Sequence, residues 1–190
     1  MVDVYTPEER VLLLGIARKT LEAITAGAGQ PVPDLTSLPP ALREKRACFV
    51  TLTEQGDLRG CTGTLVARRP LADEVALTTA QTAFHDPRFA PVRAEEVPLI
   101  QIEISVLTPP VELQYDSPGA LLHKLRPGVD GVLLRMGPYR STFLPQVWEH
   151  HPEPEVFLKL LCRKAGLPDD AWKRPEMHVD VYQTVSFKED

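Results

Sequence analysis

The stretch Arg46-Ala-Cys-Phe-Val-Thr-Leu-Thr-Glu-Gln-Gly-Asp-Leu-Arg-Gly-Cys-Thr-Gly-Thr-Leu65 decides the fold class. Residues 46–53 and 58–65 each carry the alternation and β-branched content of a strand. They are joined through Glu54-Gln55-Gly56-Asp57, a four-residue loop in which Gly56 supplies the positive φ. Strands so closely linked pair antiparallel, because a parallel pair needs a crossover of a dozen residues or more. Working outward, Pro70 starts a helix with Leu71, Ala72, Val75, Ala76, Ala80, Ala83 and Phe84 at helical spacing. A strand follows at 99–107, with Ile100, Ile102, Ile104 and Val106 on one face and Gln101, Glu103 and Ser105 on the other.

Upstream, Thr6, Pro7 and Glu9 form the signature of a capped helix that runs until Gly27 and Gly29 stop it. Residues 30–40 then form a proline-rich extended stretch on the surface. Downstream, the pattern predicts a short helix near 118–125, a turn at Pro127-Gly128 and strands at about 130–136 and 139–144. A third long helix at 153–165 ends at Gly166, and a final strand spans roughly 176–187. Strands and helices mix without strict alternation. The expectation is therefore an α+β fold, a mainly antiparallel sheet flanked by helices, with room for a small subdomain that would form a cleft.

At 190 residues the chain is long enough for a substantial core. Its 43% apolar and 25% charged content is that of an ordinary globular protein. A net charge of -5 argues against non-specific binding to nucleic acid or to an anionic membrane. No apolar run approaches the length of a membrane span. Met1-Val-Asp-Val-Tyr-Thr6 lacks the basic and apolar regions of a leader. Three widely spaced cysteines, at 48, 61 and 162, fit a reducing cytoplasm better than a disulfide framework.

Five strings occur together in this order: Leu58-Arg-Gly-Cys-Thr-Gly-Thr-Leu65, Ala83-Phe-His-Asp-Pro-Arg-Phe89, Ile102-Glu-Ile-Ser-Val-Leu107, Gly131-Val-Leu-Leu134 and Phe143-Leu-Pro-Gln-Val-Trp148. Lys164-Ala-Gly-Leu167 and Trp172 close the set. The set resembles the AMMECR domain family, whose prokaryotic members are called protein A of the AmmeMemoRadiSam system. The likeness covers residues 8–187, read as a single domain of that type. It implies an α+β domain with a cleft lined by the Arg-Gly-Cys hairpin, and an association with a Memo-like protein and a radical-SAM protein. It implies no settled activity. The family usually has isoleucine after the motif cysteine; Thr62 stands here, and a buried hydroxyl there needs a hydrogen-bond partner.

In an ideal strand Arg59, Cys61 and Gly63 share one face, and a cation, a thiol and bare backbone together suit an anionic or carbonyl-bearing ligand. Cys61 is the candidate nucleophile, its thiolate favoured by Arg59 or a protonated His85; the plainer alternative is a small core filler. Glu103 is surface decoration if the polar face of its strand meets water; if that face meets the hairpin, it either pairs with Arg59 as a bidentate ion pair or acts as a general base, the pair being the more ordinary outcome. His85 could orient or deprotonate Cys61, or simply meet the last carbonyls of its helix. Asp86 before proline reads as a turn former. Arg59, Gly60, Gly63, Arg88 and Gln146 complete the candidate ligand contacts, while Cys48 and Cys162 belong to the core.

His150-His151, His178 and Asp180 invite a metal reading. Adjacent histidines in extended chain point apart, however, and no i, i+4 or Cys-x-x-Cys spacing appears, so no metal is expected. Gly60-Cys-Thr-Gly63 lacks the lysine and helix of a phosphate loop. A cofactor is left open. Two functions remain: a small-molecule enzyme or its accessory using Cys61, Glu103 and His85, and a non-catalytic module docking the Memo-like or radical-SAM partner.

Overall fold

The computed structural model describes residues 5–190; the N-terminal reading at residues 1–4 lies outside them. Helix α1 (Pro7–Thr25) starts as its sequence dictates. Thr6 accepts from the Glu9 N–H while the Glu9 carboxylate accepts from the Thr6 N–H. A 3-10 turn (Leu35–Ser37) and the short helix α2 (Pro40–Arg43) interrupt the proline-rich stretch. The hairpin follows as β1 (Cys48–Glu54) and β2 (Asp57–Gly63). Its loop is tighter than the sequence suggests. Gln55 and Gly56 both have positive φ, 54° and 92°, so a two-residue turn replaces the expected four-residue loop. Helix α3 (Leu71–His85) and β3 (Ile100–Leu107) come next.

The chain forms two compact units. The first comprises the described residues through Leu107 together with Val185–Asp190. Its sheet has the order β2-β1-β3-β8, where β8 is Thr184–Lys188. Both β1–β2 and β1–β3 are antiparallel. Val50, Leu52, Ile102 and Ile104 are fully buried in one cluster with Leu13, Ala17 and Leu21 of α1 and Leu71 and Val75 of α3. The opposite face of this sheet carries Thr51, Cys61 and Glu103.

The second unit spans Thr108–Thr184. It contains β4 (Val111–Glu112), α4 (Pro118–Lys124), β5 (Gly131–Met136), β6 (Tyr139–Phe143), α5 (Pro154–Lys164) and β7 (His178–Tyr182). The sheet order is β4-β7-β5-β6, antiparallel throughout. Trp148 stacks on Phe157 at 3.6 Å with the rings 6° apart, at the centre of a cluster with Leu134, Leu161 and Trp172.

The α+β class follows from these elements. The sheet count and the last strand differ from expectation: the described residues form two four-stranded sheets, and the run 176–187 is divided between them as β7 and β8. Alternation continues through this run, so the break at Gln183 has no periodic signature. Among the described residues no helix is long and apolar enough to cross a membrane.

Candidate functional site

The antiparallel registers fix which side chains share a face. Thr51 lies opposite Cys61 on one side and opposite Glu103 on the other. Cys61, Thr51 and Glu103 thus form one row across three strands, with the end Cα atoms about 9–10 Å apart, twice the inter-strand spacing. All three are half-buried. The Thr51 hydroxyl lies 3.4 Å from the Cys61 sulfur. Glu103 makes no hydrogen bond or ion pair among the described residues. Cys48 and Cys162 are fully buried, and burial pushes the Cys48 thiol up to about 12 and the Cys162 thiol up as well. Cys61 is the one thiol of the three that reaches the surface.

Arg59 does not join Glu103. The register shifts between Leu52 and Thr53, so Leu52 faces Gly60 and Thr53 faces Leu58, leaving Arg59 as the extra residue of a bulge. A bulge interrupts the alternation that would have put Arg59 beside Cys61. Its Nε donates to Glu96 Oε1 at 2.7 Å and its Nη2 to Glu96 Oε2 at 3.3 Å. The guanidinium holds the Glu96 carboxyl below the usual carboxylate range. The expected Arg59–Glu103 pair is therefore replaced by Arg59–Glu96, and Arg59 is already committed within the fold.

β2 is an edge strand, and Cys61 directs its backbone groups away from β1. The loop after α3 covers them. The Cys61 N–H donates to Asp86 Oδ2 at 2.9 Å, and Arg88 Nη2 donates to the Cys61 carbonyl at 2.9 Å. Arg88 also grips Asp86, Nε to Oδ1 at 3.0 Å and Nη2 to Oδ2 at 2.7 Å. Arg88 together with the Cys61 N–H keeps the Asp86 carboxyl well below the usual carboxylate range. Asp86 is more than the turn former its Asp-Pro context suggests: it is buried and fixes the backbone of the motif cysteine. His85, one residue earlier, is exposed and makes no hydrogen bond among the described residues.

The two motif glycines answer to packing. A Cβ at Gly60 would lie 3.0 Å from the Thr82 methyl and carbonyl of α3. A Cβ at Gly63 would overlap the Phe49 ring and sit 2.5 Å from the Cys48 carbonyl. Thr62 finds the partner its hydroxyl requires, Thr82 Oγ1 at 2.6 Å. Gln146 is exposed on a 3-10 turn (Pro145–Glu149) of the second unit.

Sequence reasoning missed Asp86, Glu96 and Thr82. One signal was available: Glu74, Thr78, Thr82 and Asp86 recur every fourth residue, and all four are buried. A polar stripe on the buried side of an otherwise apolar helix needs partners across the interface.

Among the described residues, four surface hollows each lie within a single unit. The largest, about 420 Å³, lies in the second unit between Glu112–Pro118 and Lys173–Val179. Two of about 270 and 250 Å³ flank Pro31–Pro33, and one of about 210 Å³ borders Arg126 and Tyr182. None of these four is lined by Cys61, Glu103 or Arg59. Among the described residues no group of three His, Cys, Asp or Glu side chains is placed to hold a metal ion.

Comparison with known proteins places these features in context. A family model described as AMMECR1 matches residues 14–187. A protein of Methanothermobacter thermautotrophicus is 40% identical over 98% of each chain. One from Nanoarchaeum equitans is 37% identical over 94% of this chain and 99% of its own. The crystal structure of an uncharacterised protein from Pyrococcus horikoshii, 32% identical, superposes with a TM-score of 0.88 over 98% of this chain and 94% of that one.

Proposed function

The chain belongs to the AMMECR1 family, and on that premise we propose that it binds a small molecule along the Cys61–Thr51–Glu103 row and uses the Cys61 thiol in its chemistry. One observation carries the reading: a half-buried carboxylate that has no partner among the described residues shares a strand row with the accessible thiol. The Glu103 carboxylate is half-buried rather than sealed off, so it is open to a ligand that donates a hydrogen bond to it. The ligand must span about 9–10 Å to meet both ends of the row. A hydrogen-bond donor or cation meets Glu103, and an electrophilic or thiol-contacting group meets Cys61. The Asp86–Arg88 fork holds the Cys61 backbone still, which favours a defined geometry at the sulfur. Three free thiols suit a reducing compartment, and we assign the protein to the cytoplasm.

The test is a thermal-shift screen of a broad metabolite set against the wild type, Cys61→Ala and Glu103→Gln. A ligand that raises the melting temperature of the wild type alone supports the reading. Ligands that stabilise all three proteins equally would remove the row as the binding site.

A second reading rests on exposed apolar side chains beside the motif. Leu58 and Val66 are 44% and 49% exposed on or just after edge strand β2. Docking of the Memo-like or radical-SAM partner there would bury them. Co-purification of such a partner should be lost in Leu58→Asp; unchanged capture would exclude this surface.

A further inference from the structure

The first unit gathers a basic patch that the linear sequence disperses. Lys45 and Pro70 form an antiparallel bridge, flanked by the hydrogen bonds Arg46 N to Arg69 O at 3.3 Å and Leu71 N to Glu44 O at 2.9 Å. This pairing lays the segment Arg43-Glu-Lys-Arg46 against Arg68-Arg69 at the open end of the hairpin. Arg46 is satisfied by Glu44 at 2.5 Å. Arg43, Lys45, Arg68 and Arg69 are exposed and make no side-chain hydrogen bond or ion pair among the described residues. Arg46 and Arg69 stand directly opposite one another, an arrangement of like charge that destabilises a strand pair. Glu74, in the first turn of α3, is buried and acts on the patch from below: burial pushes its carboxyl up, while Arg69 and Arg68 pull it down. A chain with a net charge of -5 thus gathers five cationic side chains, Arg43, Lys45, Arg46, Arg68 and Arg69, in one place, against the two carboxylates Glu44 and Glu74.

We propose that this patch, formed where Arg43–Arg46 pairs with Arg68–Arg69, is a docking surface for an acidic segment of a partner protein. Nucleic acid fits less well. No aromatic side chain occurs in 43–46 or 64–70 to stack a base. Glu44 lies within the cation run, where it would oppose a continuous phosphate backbone. Discrete carboxylates spaced along an extended peptide can avoid Glu44 and meet the arginines in bidentate fashion. The patch is independent of the Cys61 row, so either can fail without the other.

The experiment measures binding of a fluorescent peptide of about eight glutamates, long enough to cross the patch in extended form. The proteins are the wild type and the Arg68→Ser/Arg69→Ser double variant, whose replaced side chains make no hydrogen bond or ion pair among the described residues. The peptide binds the wild type, weakens as salt rises from about 50 to about 300 mM, and loses roughly five-fold in affinity in the double variant, as expected for two exposed ion pairs. An oligouridine of similar length binds more weakly than the peptide. Absence of peptide binding at low salt, equal binding by the double variant, or tighter binding of the RNA would each overturn the proposal. Matching melting temperatures for the two proteins show that the substitutions leave the fold intact.

Discussion

Cys61 carries the account at the scale of single residues, and Asp86 makes its position reproducible. Asp86 is buried, accepts from the Cys61 N–H and is gripped by Arg88. Its carboxyl titrates below the ordinary 3.8 in the folded protein. The unfolded chain therefore binds a proton more readily than the folded one, and the stabilisation is complete above that ordinary value. It is lost as pH falls below it, through the folded value. Asp86→Asn removes the charge while keeping an acceptor for the Cys61 N–H. We expect a loss of about 1–3 kcal/mol at pH 7, half-exposed Arg88 holding it to the lower part of that range. Urea denaturation at pH 7 and pH 3 should show the gap between the two proteins narrowing with acid. A constant gap would mean the charge is not what Asp86 contributes.

At the scale of elements, α3 meets the hairpin through a polar seam rather than by apolar contact alone. Thr82 Oγ1 bonds Thr62 at 2.6 Å and also donates to the Thr78 carbonyl at 2.8 Å. Removing the hydroxyl from either side has unequal consequences. In Thr62→Val the Thr82 hydroxyl keeps its bond to Thr78, so the cost should stay within about 0.5 kcal/mol. In Thr82→Val the Thr62 hydroxyl is stranded, which costs about 1–2 kcal/mol. Chemical denaturation of both variants checks the order; a larger effect at Thr62 would contradict the hydrogen-bond assignment. The same elements show what the sequence makes legible. The α1 capping box, the α3 stripe and the Ile100–Val106 alternation follow from local rules that no tertiary contact overrides. The bulge at Arg59 could not be read, because it depends on which residue of β1 faces which of β2. The pairing of Arg59 with Glu96, 37 positions away, depends in turn on that bulge.

At the scale of the whole molecule, the division into two units was beyond periodicity. The chain leaves the first unit after β3, completes the second, and returns to place β8 in the first sheet. Each unit closes its own sheet with an aromatic ring lying over a glycine on the neighbouring strand, Phe49 over Gly63 and Tyr182 over Gly131. Those glycines are legible as sites where something approaches closely, but not as to whether a ligand or a ring does so. The candidate site was legible in part for the same reason: Cys61 and Glu103 could be named from strand alternation, whereas Asp86 required the tertiary contact between α3 and β2. The central claim is that Cys61 is an accessible thiol held in a defined setting while the other two are core. Alkylation of the folded protein with iodoacetamide, followed site by site by mass spectrometry, tests it most directly. The account predicts modification at Cys61 alone, with Cys48 and Cys162 reacting only after denaturation. Resistance of Cys61 in the folded state, or equal labelling of all three, would contradict it.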